Sequence, residues 1–101
     1  MYIIWGNEAF EKLKDNYTLL PLENIVRNGI EMPTYCVIAA DNIGLQDLPT
    51  LDQDIALHNE FLDSYNRMDT ERCQELGLVL KGRFGGEVDS FYEEILNRIQ
   101  N

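Results

Sequence analysis

The hydrophobic period of this chain changes once, near residue 45, and that change limits the folds open to it. Residues 1 to about 44 carry short β-branched and aromatic runs broken by turn formers, whereas residues 50 to 100 repeat their apolar positions every three or four residues. Strand-like sequence followed by helical sequence predicts an α+β fold: a small N-terminal β-sheet of two or three strands packed with a C-terminal three-helix segment. A chain of 101 residues supports one hydrophobic core, so one domain over 1–101 is expected, strand-rich over 1–44 and helical over 50–100.

Within the first part, Tyr2 to Trp5 is a strand closed by Gly6-Asn7, and Glu8 to Lys14 is a short helix with Phe10 and Leu13 on one side. Tyr17 to Leu22 is a weaker strand whose Pro21 lacks a ladder amide and so belongs at a sheet edge. Asn28-Gly29 signals a tight turn. Thr34 to Ala40 is apolar enough throughout to be a strand buried on both faces.

Asp41 to Pro49 reads as a loop. Thr50-Leu51-Asp52-Gln53 has the spacing of a capping box, in which the Thr50 hydroxyl and Gln53 each serve a backbone amide that the helix leaves open. The helix that follows runs to about Asn66, with an inward stripe of Leu51, Ile55, His58, Leu62 and Tyr65 widened by Leu57 and Phe61. Asp69 caps a second helix, about 70–81, which turns Cys73, Leu76 and Leu80 inward and stops at Gly82. A third, about 87–99, buries Val88, Phe91 or Tyr92, Ile95 and Ile99.

Tyr65, Asp69 four positions later and Cys73 eight later stand in the order of an aromatic, a turn acid and a small packing residue. On those residues the stretch from Leu57 to Gly82 resembles one unit of a tetratricopeptide-type helical hairpin. Phe61, Gly77 and Gly85 depart from that family's pattern. The likeness covers about a quarter of the chain and implies protein binding, although a solenoid needs about three such units.

The 18 acids against 8 bases leave a net charge of −10, which disfavours direct nucleic-acid and membrane-surface binding, since both rely on Lys and Arg. No Lys or Arg occurs between Arg27 and Arg67, while Asp41, Asp47, Asp52, Asp54, Glu60 and Asp63 fall there; they are expected to form one negative binding surface. Met1 to Gly6 lacks the basic residues of a signal peptide, so reduced thiols and a cytoplasmic location are expected for Cys36 and Cys73.

His58 is the only histidine, one helical turn after Asp54, and with Cys36 or Cys73 it supplies the parts of a Cys-His nucleophilic pair. Its place on the apolar stripe favours a structural role. Two cysteines and one histidine without paired spacing predict no metal site, and no cofactor motif is present. Lys81, Arg83, Gly85 and Gly86 put cations and glycine amides before a helix, the parts of an anion site and equally those of a plain turn. The expected function is therefore a protein-binding adaptor or inhibitor without catalysis, offering the acidic surface to a basic partner. A small enzyme or ligand sensor using His58, Asp54 and a cysteine is one alternative, and a nucleic-acid mimic is another. Self-association into a homodimer is also expected to suit so small a domain.

Overall fold

The computed structural model describes residues 1–99. It is an α+β fold that divides into two compact units, Met1–Ile43 and Gly44 onward, close to where the hydrophobic period changes.

The first unit opens with β1 (Tyr2–Trp5), as the β-branched and aromatic run predicts. Gly6, at φ 89°, reverses the chain into α1 (Asn7–Leu13). That helix rests on the sheet through Phe10, whose ring lies 4.7 Å from that of Tyr35. β2 (Thr18–Pro21) and β5 (Thr34–Ile38) complete an antiparallel sheet of order β1-β5-β2. Pro21 does lie on an edge strand, where its missing amide costs the ladder nothing. Between β2 and β5, the strands β3 (Ile25–Arg27) and β4 (Ile30–Met32) form a separate two-stranded ribbon. Asn28 and Gly29, both at positive φ, join them in the two-residue turn that the sequence signals.

β5 is central, yet its burial alternates. Thr34, Cys36 and Ile38 are buried while Tyr35 and Val37 are half-buried. The expectation of burial on both faces is thus corrected: Tyr35 lies on the α1 side, where a seven-residue helix cannot cover the whole sheet.

The second unit holds α2 (Leu51–Asn66), α3 (Thr70–Leu80) and α4 (Asp89–Ile99). The Asp69 side chain accepts a hydrogen bond from the Arg72 amide at 3.3 Å, the predicted cap. The capping box at Thr50 does not form. A 3₁₀ turn, Leu48–Thr50, already leads into α2, so the Thr50 hydroxyl points along the helix and meets Asp47 O and Asp54 Oδ2, each at 3.3 Å.

The centre of the α2 buried face is also rotated from the predicted stripe. Asp54, His58, Phe61 and Ser64 are buried, while Leu51, Ile55, Leu57, Leu62 and Tyr65 are half-buried. Polar side chains can occupy this line because each finds a partner, Ser64 through a 2.8 Å hydrogen bond to the Phe61 carbonyl. Phe61 meets Tyr92 edge-on, with centroids 5.2 Å apart, and Cys73, Leu76, Leu80, Val88 and Ile95 fill the space around them. Phe84, Gly85 and Gly86 all have positive φ, which two glycines tolerate and which tucks the Phe84 ring into the core.

Candidate functional site

Within the second unit, the acidic residues are not gathered into one exposed surface. Asp54 is only 4% exposed and lies 4.0 Å from Arg83, which also stands 3.6 Å from Asp47. Glu60 is paired with Arg72 at 3.0 Å. Asp52 and Asp63 are exposed on α2, and Asp41 is exposed in the first unit, in the turn Ala40–Asn42. The bases that appear distant in sequence, Arg72 and Arg83, thus fold back onto the acids.

The glycine-rich turn engages the chain's own carboxylates. The Gly82 amide donates to Asp89 Oδ1 at 2.8 Å, Lys81 lies 3.7 Å from Glu93, and Arg83 faces Asp47 and Asp54. Gly85 is exposed, and the Gly86 amide donates to the Arg83 carbonyl at 3.0 Å. The arrangement expected for an anion is the one that closes the turn.

His58 is fully buried among Phe84, Phe91 and Tyr92, with ring centroids 5.6–6.3 Å away, and its Nδ1 shares a 2.8 Å hydrogen bond with the Tyr92 hydroxyl. Cys73 is also fully buried; desolvation pushes its thiol pKa up, partly offset by a hydrogen bond with Ser64. Cys36 is buried on β5 in the first unit. Among the described residues, no cluster of three His, Cys, Asp or Glu side chains could hold a metal ion. Nor is any described helix long and apolar enough to cross a membrane.

The most distinctive surface lies elsewhere, along the open edge of β1. Tyr2, Ile3 and Trp5 are 65%, 42% and 48% exposed, in a strand that pairs on one side with β5. The register shows which backbone groups face outward. The Gly6 amide donates to Pro33 O, which makes Gly6 and Pro33 a bonded pair in line with Ile4↔Tyr35 and Tyr2↔Val37. Bonded and non-bonded pairs alternate in an antiparallel ladder, so Ile3 and Trp5 direct their N–H and C=O groups away from β5.

Grooves flank this edge. One of 280 Å³ lies between β1 and Ala9 of α1. Another, of 510 Å³, continues past Trp5 and Gly6 to Lys12 and Met32. Arg27 stands over the Trp5 ring, 5.2 Å from its centroid, and holds the indole beside the ribbon. In the second unit, a 460 Å³ cleft at the α2–α3 turn is lined in part by Tyr65, Met68 and Arg98. There Arg98 is occupied by Glu94 at 2.7 Å and the Tyr65 hydroxyl at 3.4 Å.

The sequence marks Tyr2 to Trp5 as a strand and carries no sign of which of its edges stays open. The missing signal was the strand order, which comes from pairing between β1 and residues about thirty positions away. Compared with known proteins, the chain matches no family model, no curated protein and no solved structure.

Proposed function

We propose that this chain is a protein-binding module that recognises its partner by strand addition at β1. The observation that supports this most directly is the outward pair of backbone groups at Ile3 and Trp5, bordered by exposed apolar side chains and by the groove against Ala9. Strand addition draws its affinity from main-chain hydrogen bonds and its specificity from alternate side chains, and this edge supplies both. Proteins normally blunt such an edge with inward charges, proline or a covering element, because an open one recruits other strands. β1 has the sequence Tyr-Ile-Ile-Trp and carries none of the first two devices.

The adaptor role expected from composition is kept in this reading, while its surface moves from the acidic segment to β1. A reducing, cytoplasmic setting suits two buried cysteines that form no disulfide.

The test is affinity capture from the native cell with wild type and Ile3→Pro, partners being identified by mass spectrometry. Proline at position 3 removes an outward amide and leaves the β5 ladder intact. Partner recovery should fall at least tenfold. Equal recovery with both proteins would refute strand addition at β1.

A further inference from the structure

We infer that the strand received by the β1 edge is β1 of a second copy of this chain, laid antiparallel with Ile4 at the two-fold axis. The inference rests on reading β1 as the recognition edge and adds to it the identity of the occupant.

The outward groups belong to Ile3 and Trp5, two residues apart with Ile4 between them. An antiparallel copy centred on Ile4 sets Ile3 opposite the second copy's Trp5 and Trp5 opposite the second copy's Ile3. Each pair exchanges both backbone bonds, so four hydrogen bonds form and all the outward groups of β1 are used. Centring the pair one residue earlier would instead oppose Ile3 to itself and Trp5 to Met1, which lies outside β1. The favoured register joins the two sheets into one of six strands, with order β2-β5-β1-β1-β5-β2.

The side chains suit the same register. Ile3 meets an indole, a β-branched and aromatic pairing that stabilises cross-strand contacts. Tyr2 falls opposite the second copy's Gly6, which has no side chain to collide with the ring. The three most exposed apolar side chains of β1 are thereby all covered.

Charge at this edge is complementary to itself, although the chain as a whole is not. α1 flanks β1 and carries the exposed pair Glu8 and Lys12, 3.8 Å apart, in the groove that runs past Trp5 and Gly6. A two-fold axis sets the two helices antiparallel, which brings Glu8 of each toward Lys12 of the other. The net charge of −10 opposes association only at long range, where salt screens it. Dimerisation consequently strengthens as salt rises, whereas binding of a basic partner segment weakens.

Sedimentation velocity on the full chain, over a concentration series at low and high sodium chloride, tests the inference together with two variants. Wild type should dimerise, with a Kd lower by several-fold at high salt, and Ile3→Lys should be monomeric at every concentration. Under mild oxidation, Ile4→Cys should form a covalent dimer, because a non-bonded antiparallel pair places Cα atoms about 4.5 Å apart, within disulfide range. Tyr2→Cys, facing glycine, should not. A wild-type chain that stays monomeric at high concentration and high salt overturns the inference, as does a dimer that survives Ile3→Lys. If such a monomer still captures a cellular partner in a manner sensitive to Ile3→Pro, the second copy is excluded while strand addition stands. If Ile3→Pro changes nothing, both fall.

Discussion

Nδ1 of His58 and the phenol oxygen of Tyr92 lie 2.8 Å apart in the centre of the helical unit and tie α2 to α4. Both side chains are fully buried, so the imidazole serves as a structural cross-link. Tyr92→Phe keeps the ring and removes this bond, which should lower stability by about 1–3 kcal/mol, the cost of breaking a hydrogen bond between buried polar groups. Urea unfolding with an unchanged slope would measure it. A loss below about 0.5 kcal/mol, the scale of surface substitutions, would show that the bond contributes little.

Gly77 sits where α3 touches α4. A Cβ there would stand 2.9 Å from Leu96 Cδ2 and 3.1 Å from its Cγ, so the neighbour must shift along its whole side chain. Alanine would add about 1 kcal/mol of helix propensity. Overpacking costs about 1–3 kcal/mol, so Gly77→Ala should be destabilising on balance. The combination with Leu96→Ala should lose less than the two single changes added together. Strict additivity in that double-mutant cycle would contradict direct contact.

Much of the fold is legible in local sequence. β1, the turn at Asn28-Gly29, the bounds of α2 and the cap at Asp69 depend on neighbouring residues, and each follows from its own signal. The ribbon strands β3 and β4 escape because three residues are too few to show a period. Asp54 and Ser64 escape because their burial depends on partners: Arg83 lies far along the chain, and the Phe61 carbonyl is hidden within the helix. The β1 edge escapes most completely. An apolar run marks a strand whether central or peripheral, and only the pairing order β1-β5-β2 exposes it.

Burial divides the acidic residues into two kinds, and charge reversal should separate them. Asp52→Lys and Asp63→Lys alter exposed positions of α2 and should each change stability by no more than about 0.5 kcal/mol. Asp54→Ala removes one of the two acceptors of the Thr50 hydroxyl and a neighbour of Arg83 from a buried position, and should cost about 1–3 kcal/mol. Circular dichroism melts of the three variants check this, and equal losses would mean that Asp54 is not held as described.

Met68 turns the chain between α2 and α3 at φ 63° with 84% of its surface exposed, so its side chain contributes strain and little packing. Glycine adopts that conformation freely, and relief of left-handed strain is worth about 1–2 kcal/mol before the added entropy of the unfolded glycine is subtracted. Met68→Gly should therefore raise the unfolding midpoint. A lowered midpoint would show that the Met68 side chain contributes more to the 460 Å³ cleft it lines than its exposure implies.

The Cys73 thiol should make stability depend on alkaline pH. Desolvation raises its folded-state pKa, opposed by the Ser64 hydrogen bond and assisted by Asp69. A free thiol in the unfolded chain ionises near about 8.5, so above that pH the unfolded state loses a proton that the folded state retains. The contribution is complete below the unfolded pKa and is lost as pH rises through the folded one. In denaturant titrations, the advantage of wild type over Cys73→Ala should shrink between pH 7.5 and pH 10. Thiol reagents at pH 8 should label Cys73 only at the rate of unfolding. Rapid native labelling, or an advantage that stays constant with pH, would place the sulfur in contact with solvent.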